Sequence, residues 1–131
     1  MIYLDSSALL KLLFEESQSA ALERWLGDRQ GTPTVSSELA RVEVLRVSRR
    51  LNAAVLPAAR SLVSQLDLIP LTSLVIGDAA EVGDPRLRTL DALYLASALS
   101  IRAELSAFVA YDRGLSAAAA AAGLQPVQPD G

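Results

Sequence analysis

The stretch Met1-Ile2-Tyr3-Leu4-Asp5-Ser6-Ser7-Ala8-Leu9-Leu10 decides how this chain folds. An apolar run of four residues that includes Ile2 and Tyr3 suits a short strand buried on both faces. Asp5 falls where that strand ends, and Ser6 and Ser7 offer N-cap chemistry to an apolar helix that starts at Ala8. A carboxylate therefore stands at the C-terminal edge of a sheet, beside a helix start. Open α/β folds bind their ligands at that edge.

A second junction repeats the pattern. Ala107-Phe108-Val109-Ala110-Tyr111 reads as another buried strand, and Asp112 follows it immediately, ahead of an alanine-rich helix over Leu115–Ala122 with Gly123 as its C′ residue. Both strands look central, and parallel pairing would bring both acids to one edge of the sheet. Between them, Thr32–Ser36 reads as a β-branched strand, and a long helix runs from Glu38 to about Leu51. A further helix runs from Pro57 to Leu66, and Leu68–Leu71 forms an edge strand because of Pro70. Ser17 or Ser19 caps a helix through Trp25, Leu74–Val82 is helical, Thr89 caps a helix over Leu90–Glu104, and Gln125–Val127 is a last edge strand. Strands alternating with helices predict an α/β fold, a three-layer α/β/α sandwich around a mainly parallel sheet. With no repeat and no long linker, residues 1–131 read as one domain.

Composition narrows the chemistry. The chain has no Cys and no His, which removes disulfides, thiolate and imidazole metal ligands, cysteine nucleophiles and histidine bases. A net charge of −3 predicts no general basic field. No apolar stretch spans a membrane and no basic n-region opens the chain, so the expected location is the cytoplasm.

Two more acids stand out. Glu43, on the long helix, has Leu39, Ala40, Arg46 and Val47 as helical neighbours, so it should be at least half buried. Its structural alternative is an ion pair with Arg46. Asp91 opens a helix that is apolar almost all round, where an unpaired carboxylate is costly unless Arg86, Arg88 or a metal compensates. Asp5 and Asp112 have their own structural alternative as helix caps. Taken together, Asp5, Glu43, Asp91 and Asp112 cannot lie close and all stay ionised without a counter-charge. An oxygen-only donor set suits Mg2+, with Mn2+ as a substitute, and such an ion activates water and stabilises charge on a phosphodiester.

Four ordered segments carry a family resemblance: Ile2–Leu9, Ser37–Arg46, Leu90–Ala98 and Phe108–Leu115. In them the chain resembles a PIN domain, specifically a bacterial VapC-type toxin ribonuclease, over essentially its whole length. The resemblance implies an Mg2+- or Mn2+-dependent endoribonuclease that cuts RNA at a four-carboxylate site. Asp5 and Asp91 would be its firmest metal ligands, Asp112 its more variable fourth acid and Glu43 its helical one. Ser7 matches a small hydroxyl position that supports a ligand or water, while Ala110 departs from the hydroxyl common two residues before the last acid. The resemblance also implies a homodimer and a small cognate antitoxin, for which an Arg or Lys inserted among the acids would be a simple inhibitory device. Arg46, Arg49, Arg50, Arg86 and Arg113 are candidate phosphate contacts, set against a role on solvated helix faces. One rival is a PIN-like RNA- or protein-binding module without turnover. The other is phosphotransfer on a strand-end Asp nucleophile, which ranks last because Asp5-Ser6-Ser7 lacks a second acid two residues on.

Overall fold

In the computed structural model, which describes residues 1–131, the strand-like runs assemble into one five-stranded, all-parallel sheet. The strands are β1 (Ile2–Leu4), β2 (Thr34–Ser37), β3 (Asp67–Ile69), β4 (Ala107–Val109) and β5 (Pro126–Val127), in the order β3-β2-β1-β4-β5. The chain thus builds outward from β1 in one direction through β2 and β3, and then returns to the other side of β1 with β4 and β5. The gap between β1 and β4 is the topological switch point, where the crevice of such a sheet opens beyond the strand ends. The runs that bear Pro70 and Pro126 lie at the sheet edges, while Pro33 stands just before the internal strand β2, as expected of a residue with no N–H for a central ladder.

Helices α1 (Ser6–Leu13), α2 (Ser19–Gly27), α3 (Leu39–Leu51) and α4 (Leu56–Ser64) pack through one another, α1 on α2 and α3, and α3 on α4. Helices α5 (Ser73–Ala79), α6 (Thr89–Leu99) and α7 (Arg113–Ala121) form a second group, with α6 between the other two. The alternation of β1 shows why the sheet takes helices on both faces. All three of its residues are buried, so neither face meets water. Tyr3 lies beside Phe108 in the β1–β4 register, and their rings stack at 5.1 Å with a 7° interplanar angle. The Tyr3 hydroxyl donates to the Tyr94 carbonyl of α6 at 2.8 Å, so this large ring is buried with its polar end satisfied. No helix is long and apolar enough to cross a membrane.

Four local expectations change. The first helix starts at Ser6 and is capped by Asp5 itself, whose side chain accepts from the Ala8 N–H at 3.0 Å; Ser6 and Ser7 lie inside the first turn. Helix α2 has no side-chain cap, because the Ser19 hydroxyl is spent on the carbonyls of Lys11 and Phe14 and the N–H of Glu16. The residue ahead of α6 is Arg88, and Thr89 makes no capping bond. That helix also stops at Leu99 and gives way to a separate 3-10 turn at Arg102–Glu104. Gly123 does follow α7 with a φ of +91°, a conformation that favours a residue without Cβ.

Candidate active site

The four acids reach the cleft by three local routes. Asp5 leaves the end of β1 and caps α1; Asp112 leaves the end of β4 and caps α7, accepting from the Leu115 N–H at 2.9 Å. The capping alternative is thus true of both, and it does not compete with a second role. A cap uses one carboxylate oxygen, in both cases Oδ1. Because β1 and β4 are parallel neighbours, the two caps open onto the same edge. Asp91 sits in the first turn of α6, and Glu43 projects from the middle of α3. All four line one cleft of about 390 Å3, together with Ser6, Ser7 and Arg88.

Asp5 is the most enclosed, at 3% exposure. The Ser7 hydroxyl donates to its Oδ1 at 2.6 Å and in turn accepts the Tyr111 N–H at 2.8 Å. One hydroxyl therefore ties the acid after β1 to the chain leaving β4. Both hydrogen bonds to Asp5 fall on Oδ1. Burial outweighs them: it pushes the Asp5 carboxyl up to about 7, against the pull of Ser7 and Ala8 and with the push of the Asp91 and Asp112 charges. Burial also raises Asp91, whose side chain is 14% exposed, and Arg88 partly offsets this.

Arg88 compensates Asp91, one of the two arginines expected to do so; Arg86 pairs with Asp84 instead. Its Nη2 lies 3.0 Å from Asp91 Oδ2 and 2.5 Å from Asp112 Oδ2, so one guanidinium bridges two acids 21 residues apart in sequence. Glu43 is half-buried as expected, but it does not pair with Arg46. Its Oε1 accepts the Tyr94 hydroxyl at 2.7 Å, across from α6. The phenol is held well above its ordinary range, first by burial and then by the Glu43 charge and hydrogen bond, so it stays a donor. Tyr94 was missed as a site residue, although Asp91 and Tyr94 lie three apart on one helix and so share a face. Tyr94→Phe deletes this bond and leaves the carboxylate short of a donor. We expect a loss of about 1–2 kcal/mol in urea denaturation; an unchanged midpoint would show the bond to be idle.

The other proposed phosphate contacts, Arg46, Arg49, Arg50 and Arg113, are exposed and outside the cleft lining. Ala110 leaves no side-chain hydroxyl of its own, yet the Ser116 hydroxyl donates to its carbonyl at 3.2 Å.

No three acids stand near enough to enclose an ion by themselves. The donor set nonetheless fits a hard divalent cation. It is all oxygen, and a cationic group already rests between Asp91 and Asp112. Mg2+ moreover takes only one or two carboxylates directly, with water completing its shell.

Comparisons with known proteins agree with this architecture. The family model described as PIN domain matches residues 2–121. Ribonuclease VapC47 of Mycobacterium tuberculosis is 46% identical over 118 residues, covering 88% of this chain and 87% of the relative. Ribonuclease VapC35 of the same species is 40% identical over 131 residues, covering 98% and 97%. The crystal structure of M. tuberculosis VapC20, described as a Sarcin-Ricin loop cleaving toxin, superposes with a TM-score of 0.76 over 98% of this chain and all of that one; at 18% identity it shares the fold. A matching family model over most of the chain and full-length VapC relatives lead to one conclusion: this chain belongs to the PIN-domain family, among its VapC members.

Proposed function

We propose that this protein is an Mg2+-dependent endoribonuclease, with Mn2+ as a substitute, and the toxin of a VapBC-type toxin–antitoxin pair. One observation carries the reading: four acids from four separate elements line a single cleft at the switch point of the sheet, in a chain without His or Cys. Its relatives are named ribonucleases, which supports the same reaction here. Residues 1–131 would act as one PIN domain in the cytoplasm, where its RNA substrate is found.

In this reading Asp5 and Asp91 hold the metal most firmly, with Asp112 and Glu43 completing the four-carboxylate site. When bound, the metal supplies Lewis acidity and an activated water. The chain's own residues do the positioning. Ser7 fixes the rotamer of Asp5 and ties it to the end of β4. Tyr94 orients Glu43 from the opposite helix. The buried setting of Asp5 leaves a bare carboxylate poorly solvated, so it favours a neutralising partner, and a bound cation would serve as one. Exposed Leu74 and Ile76 on α5, with Leu90, Val42 and Leu51, give apolar surface for a homodimer and for an antitoxin.

The test is one preparation assayed three ways. The chain, expressed alone and together with its co-encoded small protein, is run on size-exclusion chromatography. Its RNA products are then mapped with Mg2+, with Mn2+ and with chelator. We expect a dimer, a larger and inactive complex with the partner, and cleavage only with metal. Cleavage that persists in chelator would sink the metal mechanism; a preparation that binds RNA and never cuts it would favour the binding-module alternative.

A further inference from the structure

Arg88 is in the wrong place to serve its own helix. It holds the N-cap position of α6, makes no capping bond, and brings a positive charge to the end of a helix whose dipole disfavours one. Ser, Thr, Asp or Asn would stabilise α6 better at that position. The side chain is 73% exposed, and all of its hydrogen bonds reach the acids: Nε to Asp91 at 3.1 Å and Nη2 to Asp112 at 2.5 Å. The two carboxylates are more enclosed, at 14% for Asp91 and 30% for Asp112, so the guanidinium reaches them from the solvent side and can leave by the same route. The bridge also stands at a boundary. Arg88, Asp91 and Asp112 line the acidic cleft and, on their other side, an adjoining groove of about 730 Å3 bordered by Arg86, Leu87 and Gly114.

We propose that Arg88 is a two-position cation. In the metal-free protein it clamps Asp91 and Asp112; when a divalent ion takes the acids, it turns into the adjoining groove and binds an RNA phosphate there. The inference rests on the metal-site reading above. Its physical basis is exchange of like for like. The two carboxylates hold either the guanidinium or the metal, and the displaced guanidinium, planar and always charged, suits a phosphate. Arg88 is then a substrate-positioning residue, and the clamp is a local competitor that keeps the acids screened until metal arrives.

The signature is a pair of effects with opposite signs. Arg88→Gln removes the competitor, so Mn2+ binding measured by isothermal titration calorimetry tightens roughly three- to tenfold. The same variant loses a phosphate contact, so the KM for a single-stranded RNA oligonucleotide rises about tenfold, with kcat changed less. A merely structural role would weaken both. Arg86→Gln removes an equal charge from a side chain paired with Asp84, and leaves Mn2+ affinity within about twofold. Equal tightening in both variants would reduce the effect to general electrostatics and overturn the clamp; an unchanged KM in Arg88→Gln would overturn the phosphate role. In the wild-type protein, the Arg88 Nε–H resonance should shift on addition of Mg2+, and an unmoved resonance would also overturn the exchange. Two controls separate this inference from the reading beneath it. If the wild type binds no Mn2+, the metal site itself fails. If the wild type binds, Asp5→Asn does not, and Arg88→Gln matches the wild type, only the role of Arg88 fails.

Discussion

At roughly pH 8 and without divalent metal, Asp5→Asn should melt on the order of 5–10 °C above the wild type, while its metal-dependent RNA cleavage falls by on the order of a thousandfold. The two effects have one cause. Asn keeps what Asp5 does for the fold: its side-chain oxygen can still accept from the Ala8 N–H and the Ser7 hydroxyl, and Asn is a good N-cap. What it removes is a charge that is 3% exposed and that burial pushes up to about 7. The direction follows from proton binding. Below about pH 4 the carboxyl is protonated in both folded and unfolded chains, so it makes no difference there. Between about 4 and 7 the folded chain keeps a proton that the unfolded chain has lost, so wild-type stability falls as pH rises. Above 7 the full penalty, up to about 4 kcal/mol, is in place.

The gap in melting temperature between variant and wild type should therefore be small near pH 4, open through the mildly acidic range and level off above neutrality. Added Mg2+ should stabilise the wild type by mass action and close part of that gap. A gap of equal size at about pH 4 and about pH 8 would show that Asp5 carries no raised affinity for protons. An Asn variant that still cuts RNA would show that the acid is a cap and nothing more.

Phe108→Ala should cost about 3–5 kcal/mol in urea denaturation, a large part of the roughly 5–15 kcal/mol that holds a domain of this kind together. Phe108 is fully buried in β4 and stacks on Tyr3 of β1, so truncation leaves a cavity between the two strands that carry Asp5 and Asp112. The stack reaches further, since Tyr3 also donates to the Tyr94 carbonyl of α6, the helix bearing Asp91. Tyr3→Ala and Phe108→Ala should consequently couple, the double variant losing less than the sum of the singles. Phe108→Leu, which refills most of the volume, should cost clearly less than Phe108→Ala. Strict additivity, or a cost for Phe108→Ala below about 1 kcal/mol, would mean that the β1–β4 contact does not organise the site.

The two strand–Asp–helix junctions, the all-oxygen donor set and the four acids that line the cleft are legible along the chain. These features are short-range: a four-residue apolar run, a capping carboxylate and an absent residue type need no partner to be recognised. Even so, local details shifted by a residue or two: α1 starts at Ser6 rather than Ala8, with Asp5 in the capping role that was its structural alternative, and Arg88 rather than Thr89 precedes α6. Caps are settled by which side-chain oxygen the fold leaves free. In this chain the serine hydroxyls found other partners.

The strand order β3-β2-β1-β4-β5 belongs to the tertiary structure alone, because β1 and β4 are separated by more than a hundred residues and parallel ladders leave no local mark. That order makes neighbours of Asp5 and Asp112. It also chooses among charges that look equivalent along the chain. Arg46 stands three residues from Glu43, at ordinary helical pairing distance, yet Glu43 turns to Tyr94; Arg88 spans from Asp91 to Asp112 only because α6 and α7 begin side by side at the end of the sheet. A strand, a helix or a cap reports its own composition. Which cation meets which carboxylate depends on where the chain ends up in space.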